Sequence, residues 1–341
     1  MFKIKVNSLR PGLKLGKDIF SYDSQLLLHK DTIIKKEHLD NFATRNIEEV
    51  YIQENKPRLR TERKFQDVFS KSLEVVKSFM LGAKIGKELD REEINRTVDF
   101  LLEQVFDVND VFRQIRLMKD KEEYLYTHPV NVALLSILIG RWLECDDDTV
   151  RKLGMAGLLH DIGKTFINES ILNKPAKLTA EEFEEMKKHT LLGYNLISNY
   201  EWIDETVAKA VLLHHERLDG SGYPMGIVGE TNSFLASVIA VADVYDALTS
   251  DRAYSDKTSP YTAIDVLWKE SFGKLDPTIT KIFCDKTTNF YVGNEVILSN
   301  GDKGLVIYID PGQPTRPTVM VGDDFINLAE HRSIEITEVI D

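Results

Sequence analysis

The sequence predicts a mainly α-helical protein with a small α/β module at its N-terminus and a small β module at its C-terminus. Apolar residues recur at spacings of three and four through the middle of the chain, which is typical of helices with a buried face. Short alternating runs near the N-terminus predict strands, and runs separated by Gly, Pro and Asn after residue 289 predict a β-hairpin and further strands. We therefore divide the chain into four segments: 1–56, 57–119, 120–286 and 287–341.

The composition restricts the classes of function. The 341 residues allow two or three domains, and a hydrophobic fraction of 43% is ample for a large core. The net charge of −12 argues against DNA or RNA as partners, because nucleic-acid binding requires a basic face. It does not exclude a small anionic ligand, since bound cations dominate the field locally.

Several absences predict a cytoplasmic protein. The two cysteines, Cys145 and Cys284, belong to no Cys-x-x-Cys pair and are expected to be small, reduced core residues. The first residues alternate like a strand and contain no apolar signal core. No apolar run approaches the roughly 20 residues that a membrane span needs.

The terminal segments are expected to be small modules. Segment 1–56 is predicted to contain strands around 4–9, 26–28 and 50–52, a turn at 10–12 and a helix over 36–44. We interpret it as an accessory or regulatory domain, with a docking platform that binds no ligand as the alternative. Segment 287–341 is predicted to be a small β-barrel or sandwich. Its expected strands are 292–298, 304–309, 318–321, 325–328 and 334–337.

The middle of the chain is predicted to be helical throughout. Segment 57–119 carries two apolar stripes, the second of them starting with a capping-box-like pair, Asp90 and Glu93. These helices are expected to pack on the next segment and to offer a homodimer surface, with core packing alone as the alternative. In segment 120–286, Thr179 is the expected N-cap of a helix with Glu182 at N3. The other expected helices are 130–142, 151–160, 205–215, 233–248 and 261–268.

Histidines concentrate in one stretch of segment 120–286. Five of the eight histidines of the chain lie between residues 128 and 243, two of them adjacent and one directly before an Asp. Imidazole is the commonest protein ligand of transition metals, and carboxylate supplies charge or bridges two ions. The set is too large for one four-coordinate zinc and suits two ions roughly 3.5–4 Å apart. The candidate metal ligands are His128, His160, Asp161, His189, His214, His215 and Asp243.

Two motifs accompany these ligands. His160-Asp161 is followed by Gly163, which allows a helix to stop there, and by Lys164, one helical step away. Seven residues after the His pair comes Gly222-Tyr223-Pro224 in a glycine-rich loop. Glycine lets the backbone approach a ligand closely, tyrosine offers a ring face and proline stiffens the turn.

The combination of these ligands with His-Asp-x-Gly-Lys and Gly-Tyr-Pro resembles the HD-GYP family of bacterial cyclic di-GMP phosphodiesterases, over roughly residues 120–285. The resemblance implies an HD-type helical bundle in which Asp161 bridges two cations. It implies that the coordination of one ion is completed by His128, His160 and Asp243. It also implies that the coordination of the other ion is completed by His189, His214 and His215.

The resemblance also implies a reaction. It predicts a cyclic-guanylate-specific phosphodiesterase that hydrolyses cyclic di-GMP through a hydroxide activated by two divalent metals, Fe or Mn. The predicted product is pGpG, with GMP as the alternative end product. Asp161 and Lys164 are the expected catalytic residues. The expected substrate contacts are Lys164, Gly222, Tyr223, Pro224 and Arg252, the last resembling the phosphate-contacting arginine of the family. The alternatives are an HD-fold hydrolase of other nucleotides, including mixed cyclic dinucleotides, and a non-catalytic receptor of cyclic dinucleotides.

The sequence departs from the family pattern at two places. Members with a third metal carry a Glu one helical turn before the first His, where this chain has Tyr124, so a two-metal centre is expected. After Tyr254, Ser255-Asp256 replaces the usual basic residue, which puts one substrate contact in doubt.

Two further acidic residues have open roles. Asp246 is expected to cap or support rather than bind metal. Glu216 has three equal interpretations: it orients a ligand histidine, makes a structural hydrogen bond or faces solvent. The lysines Lys187 and Lys188 are expected to face solvent.

Overall fold

The computed structural model consists of two compact units, residues 1–57 with 287–341 and residues 58–286. It describes the whole chain except residues 1, 7–8, 10–12, 21–25, 31, 36–37, 40–41, 43–46, 48, 53–58, 106–110, 113–114, 116–122, 230–232, 251–257, 311 and 341, and except the side chains of 2–5, 26 and 59–64.

The larger unit is helical, which confirms the predicted mainly α class. The buried faces follow the apolar stripes that the sequence shows. The helices of this unit whose bounds the described residues define are α1 (Leu59–Lys84), α2 (Arg91–Gln104), α3 (Tyr124–Trp142), α4 (Asp147–Leu159), α5 (Glu169–Leu172), α6 (Ala180–Ile197), α7 (Glu205–Leu213), α8 (Phe234–Thr249), α9 (Pro260–Glu270) and α10 (Pro277–Phe290), with a 3-10 helix at Ile162–Phe166.

Side-chain caps start several of these helices. Thr179 and Glu182 form the predicted capping box at the start of α6, with both reciprocal hydrogen bonds present. The Asp90 side chain accepts a hydrogen bond from the backbone N–H of Glu93, as the sequence suggests. Each such cap satisfies a backbone donor that has no partner within the helix, and so it fixes where the helix begins.

Helix α3 starts earlier than the sequence predicts. It runs from Tyr124 through Pro129, whereas the prediction places its start at Val130. A proline removes one backbone hydrogen bond from a helix, and this argues for a start after it. Here the residues from Thr127 to Gly140 are all buried, so packing outweighs the local cost of the proline.

Close packing between helices brings the chemical residues of this unit together. A Cβ built at Gly157 on α4 would lie 2.6 Å from the Cα of Ala133 on α3, so only glycine permits this approach. Asp146 caps the start of α4, and the same helix ends at Leu159, directly before His160. Helices α3 and α4 thus present their histidines to one site.

The smaller unit contains antiparallel strands from both ends of the chain. β1 (Phe2–Lys5) pairs with β4 (Glu49–Ile52), and β2 (Ile19–Phe20) pairs with β3 (Leu26–Leu28). The C-terminal sheet has the order β8-β7-β6-β5-β9. Its strands are β5 (Glu295–Leu298), β6 (Lys303–Tyr308), β7 (Thr318–Val321), β8 (Asp324–Asn327) and β9 (Ile336–Ile340).

The two ends of the chain share one core in this unit. Ile307 of β6 is only 4% exposed and packs with Leu15, Phe42 and Ile52 from the N-terminal part. The four-segment division stays a prediction, and the structure adds that the first and last segments are packed together. Of the predicted helix over 36–44, residues 38, 39 and 42 are helical, and the predicted turn at 10–12 lies outside the described residues.

No helix in the described part of the chain combines the length and the apolar character that crossing a membrane requires.

Candidate metal centre

The seven predicted ligands meet in the interior of the larger unit. His128 lies near the start of α3, His160 and Asp161 follow the end of α4, and His189 lies on α6. His214 and His215 follow the end of α7, and Asp243 lies on α8. All are buried except His215, which is partly exposed.

The first group of donor atoms comprises His128, His160 and Asp243, whose donor atoms lie within 4.8 Å of one another. The Nε2 atoms of His128 and His160 are 3.2 Å apart. His128 Nε2 also lies 3.0 Å from Asp243 Oδ1. Nitrogen and carboxylate donors converge on one small volume, which is the arrangement of a metal site.

The second group comprises Asp161, His189, His214 and His215, again with donor atoms within 4.8 Å of one another. The Nε2 atoms of His189 and His214 are 3.5 Å apart. Asp161 stands between the groups. Its Oδ2 lies 3.5 Å from His128 Nε2 and 3.3 Å from His160 Nε2, while its Oδ1 lies 3.4 Å from His189 Nε2.

Three of the imidazoles are oriented by their own helices. The Nδ1 atoms of His160, His189 and His214 each lie 2.7 to 2.8 Å from the backbone carbonyl oxygen three residues earlier. A carbonyl can only accept, so Nδ1 carries the proton and Nε2 keeps its lone pair. These lone pairs point into the cluster, in the form that a metal ligand requires.

His128 is oriented by a carboxylate instead. Its Nδ1 lies 2.7 Å from Oδ2 of Asp246, which is fully buried. The other oxygen of Asp246 accepts a hydrogen bond of 2.9 Å from the side-chain amide of Asn131. The Tyr124 hydroxyl lies 3.1 Å from the same Nδ1. Asp246 therefore supports a candidate ligand from behind, as the sequence suggests, and Asn131 is a supporting residue that sequence reasoning missed.

The protonation states of five of the seven donors suit a bound cation. Burial lowers the pKa of His189 to about 4 and also holds the pKa of His214 and His215 well below the ordinary value. Burial alone would raise the pKa of Asp161 and Asp243, but neighbouring histidines, with Lys164 beside Asp161, hold both carboxyl pKa values well below the usual range. His189, His214 and His215 are thus neutral imidazoles, and Asp161 and Asp243 are ionised carboxylates.

His128 differs from the other histidines. Burial disfavours its charged form, but the hydrogen bonds that its ring N–H groups donate to Asp243 and Asp246 outweigh burial and raise its pKa to about 9. The cluster therefore attracts positive charge. Oδ1 of Asp161, in addition, is buried without a hydrogen-bond partner among the described residues. A buried carboxylate oxygen in that state is costly unless a cation satisfies it, so the residues present fit divalent metal ions.

The segment that follows His160 and Asp161 packs closely against α6 at Gly163. A Cβ built at Gly163 would lie 1.9 Å from the backbone oxygen of His189 and 2.5 Å from the backbone nitrogen of Gly193. This contact holds the 3-10 helix against α6, which brings Asp161 next to His189. Lys164, one residue later, places its Nζ 2.6 Å from Oδ2 of Asp161.

The Gly-Tyr-Pro loop closes one side of the cluster. A Cβ built at Gly222 would lie 2.4 Å from the backbone oxygen of His215, so glycine permits the loop to pass directly over the His pair. The ring of Tyr223 lies 4.6 Å from the ring of His215 at an angle of 30°. Burial and the charge of Asp243 raise the pKa of Tyr223, which keeps its hydroxyl neutral. The Tyr223–Pro224 peptide bond is cis.

Glu216 holds this loop rather than a histidine. Its buried carboxylate accepts hydrogen bonds from the backbone N–H groups of Met225 at 2.6 Å, Gly226 at 3.1 Å and Ile227 at 2.9 Å. Of the three interpretations that the sequence leaves open, the structural hydrogen bond is the one observed. Arg252, Ser255 and Asp256 lie outside the described residues, so the predicted phosphate contact of Arg252 stays a prediction.

Comparison with known proteins identifies the fold of this unit. Residues 113–279 match the family model described as HD domain. The chain is 37% identical over 238 residues to the cyclic di-GMP phosphodiesterase PA4108 of Pseudomonas aeruginosa, an alignment that covers 70% of this chain and 57% of the relative. It is 32% identical over 162 residues to the 3′3′-cGAMP-specific phosphodiesterase 3 of Vibrio cholerae, which covers 48% of this chain and 35% of the relative.

A solved structure extends the likeness of the fold. Bd1817, an HDG"Y"P protein from Bdellovibrio bacteriovorus, superposes with a TM-score of 0.56 at 18% identity, covering 84% of this chain and 99% of that one. This likeness bears on the fold alone. The chain spans less than two thirds of the length of either curated relative.

Proposed function

We propose that this chain is a metal-dependent phosphodiesterase of the HD-GYP group that acts on cyclic di-GMP. Two findings support this: residues 113–279 match the HD domain family model, and the chain is 37% identical over 238 residues to a relative named as a cyclic di-GMP phosphodiesterase. The product is pGpG or, if hydrolysis continues, GMP. The cofactors are two divalent metal ions per chain, Fe or Mn, because a histidine-rich site bridged by a carboxylate accepts such ions and availability decides among them.

The position of the Asp161 carboxylate carries this proposal. Its two oxygens face opposite ways, Oδ2 toward His128 and His160 and Oδ1 toward His189. A carboxylate so placed serves two cations at once, which a single-ion site does not need. The residues that would hold one ion are His128, His160 and Asp243, and those that would hold the other are His189, His214 and His215, with Asp161 shared.

Two bound divalent cations would lower the pKa of a water molecule and neutralise charge on the phosphate. The remaining tasks belong to the protein. Lys164, whose ammonium reaches Asp161 at 2.6 Å and is partly exposed, stands where it can also contact an incoming phosphate. The Gly222–Pro224 loop excludes water from one side of the site and presents the Tyr223 ring to a base. Arg252 is proposed as a second phosphate contact.

A second substrate has a specific observation in its favour. One relative is named for 3′3′-cGAMP, and its identity to this chain is 32%, against 37% for the relative named for cyclic di-GMP. Similar kcat/KM values for the two dinucleotides would favour the broader activity. A cytoplasmic location and a homodimer stay predictions of the sequence.

The test combines metal analysis with product analysis. Protein reconstituted anaerobically with Fe(II) or Mn(II) is expected to contain about two metals per chain and to convert cyclic di-GMP to pGpG or GMP, followed by chromatography. Asp161→Ala is expected to abolish turnover and retain the helical circular dichroism spectrum, while Asp67→Ala, at an exposed position of α1, is the control. Turnover by Asp161→Ala would refute the proposed mechanism. Two metals without turnover would favour a receptor.

A further inference from the structure

We infer that Phe183, Lys187 and Tyr223 form a base-binding subsite beside the metal centre, which we call the base clamp, and that Lys187 makes it selective for guanine. The inference rests on the proposed function, because it assigns one base of the cyclic dinucleotide to a place on the protein. It adds two residues of α6 to a site whose sequence motifs contain neither.

The three side chains of the base clamp lie close together beside the metal centre. The rings of Phe183 and Tyr223 are 6.1 Å apart and nearly perpendicular, at 82°. The Lys187 ammonium lies 5.0 Å from the centre of the Phe183 ring and 5.8 Å from that of Tyr223. One cation therefore lies near two aromatic faces, a favourable arrangement within about 6 Å.

The base clamp is attached directly to the metal centre. Tyr223 stacks on His215 and lies edge-on to His189, with ring centres 6.2 Å apart. Phe183 and Lys187 are one helical turn apart on α6, and His189 follows two residues later on the same helix. Because one rigid helix carries both the candidate ligand His189 and two residues of the base clamp, a base held there has a fixed distance to the reacting phosphate.

Exposure distinguishes the base clamp from ordinary core packing. Phe183 keeps 45% of its surface accessible, although its neighbours on α6 toward the core are buried. The Lys187 side chain is 28% exposed and is held by an ion pair of 2.6 Å with Glu184. An aromatic face and a positioned ammonium thus remain available to a ligand at the edge of the site.

The chemistry of the base clamp suits guanine. Bases stack on aromatic rings with little regard to identity, so either purine can stack on one of the two perpendicular rings and meet the edge of the other. Guanine presents two acceptors, O6 and N7, to a lysine ammonium, whereas adenine presents an amino donor in place of O6. Lys187 therefore favours the binding of guanine over adenine, while stacking on the aromatic rings contributes affinity for both bases.

This division of labour predicts a particular selectivity. Cyclic di-AMP must place adenine in the base clamp and is discriminated against. The mixed dinucleotide 3′3′-cGAMP can place its guanine there, so the base clamp does not distinguish it from cyclic di-GMP. The informative comparison is thus between the two symmetric dinucleotides.

The experiment uses two variants and two matched controls in the full chain. Lys187→Met removes the charge and retains the aliphatic stem, and Phe183→Leu removes the ring. Lys188→Met is the control for the first, because Lys188 pairs with Glu185 three residues earlier just as Lys187 pairs with Glu184. Phe272→Leu is the control for the second, since Phe272 is 76% exposed elsewhere in the unit.

Two readouts are measured for each protein. The first is kcat/KM of the metal-loaded enzyme for cyclic di-GMP and cyclic di-AMP. The second is equilibrium binding of the same dinucleotides to metal-free protein, by calorimetry. Lys187→Met is expected to lower the preference for cyclic di-GMP over cyclic di-AMP on the order of tenfold. Phe183→Leu is expected to weaken the binding of both dinucleotides, and to lower kcat/KM for both, about tenfold. The preference for cyclic di-GMP over cyclic di-AMP is expected to stay unchanged. Both controls are expected to match wild type.

The outcomes separate this inference from the proposed function. If wild type hydrolyses cyclic di-GMP and Lys187→Met retains the wild-type preference in both readouts, the base clamp is wrong and the phosphodiesterase stands. If wild type hydrolyses neither dinucleotide, the proposed function fails, and the binding ratio alone then decides the base clamp. An equal loss in the Lys188→Met control would show a general charge effect and would also overturn the assignment of Lys187.

Discussion

Adding one methyl group at Gly163 should move Asp161 away from His189 within the metal centre. The Cβ of Gly163→Ala would lie 1.9 Å from the backbone oxygen of His189, whereas real Cβ contacts essentially never fall under 3.0 Å. The 3-10 helix and α6 must therefore move apart by at least about 1.1 Å, the difference between these distances. Neither side can yield by a rotamer change, because the atoms that collide are backbone atoms of His189 and Gly193.

The size of the effect follows from this displacement. Overpacking a buried site typically costs about 1–3 kcal/mol, and a clash with backbone belongs at the upper end of that range. The same movement would lengthen the 3.4 Å separation between His189 Nε2 and Asp161 Oδ1. Metal–ligand distances tolerate only about 0.2 Å, so the group that contains His189 should lose its ion.

Urea unfolding followed by circular dichroism measures the loss of unfolding free energy. Elemental analysis after reconstitution measures the number of metal ions bound per chain. Gly163→Ala is expected to lose about 2–3 kcal/mol of unfolding free energy and at least one metal per chain. The control is Gly82→Ala in α1, whose Cβ would meet only the flexible Lys87 side chain, at 3.4 Å. That variant should gain roughly 0.5–1 kcal/mol from helix propensity. A Gly163→Ala protein with two metals and wild-type stability would refute the packing argument.

Two further predictions concern the surroundings of the site and the stability of the bundle. Asp246→Asn weakens the support of His128 and should lower metal affinity roughly 10- to 100-fold in chelator competition, with Asp67→Asn as the control. Asp204 caps α7, and its hydrogen bonds to Thr206 and Lys152 lower its pKa to about 2. Its carboxylate stabilises the fold above the unfolded pKa of about 3.9, and this contribution is lost as pH falls through about 2. Asp204→Ala should therefore cost about 1 kcal/mol at pH 7, and the gap to wild type in thermal unfolding should narrow between pH 4 and pH 2. A gap that stayed constant with pH would contradict this.

Residue chemistry and spacing were enough to nominate the donor cluster. His160 and Asp161 follow an apolar helix that ends just before them, and His214 and His215 follow another, so the sequence indicates which side chains reach a common centre. Local signals also predicted the capping box of Thr179. These features depend on residues within a few positions of one another, which is the range over which a single sequence is informative.

Contacts between distant residues were beyond that range. Lys187 was expected to face solvent, because nothing on α6 shows that the ring of Tyr223 returns to it 36 residues later. Glu216 was left with three interpretations, since its partners follow nine to eleven residues later in a loop without periodicity. The core that Ile307 shares with Leu15 joins opposite ends of the chain, and no local pattern indicates it.

The supports of the histidines also make the two donor groups unequal. His160, His189 and His214 donate Nδ1–H to neutral backbone carbonyls, whereas the Nδ1 of His128 lies against the side-chain carboxyl group of Asp246. A carboxylate behind an imidazole raises the basicity of the ligating nitrogen more than a carbonyl does. Each donor group contains one carboxylate, Asp243 in the first and Asp161 in the second, so Asp246 is the additional carboxylate that distinguishes the group containing His128. The sequence signal for this asymmetry is small: Asp246 follows Asp243 by three residues on one helix, which puts a ligand and a support side by side.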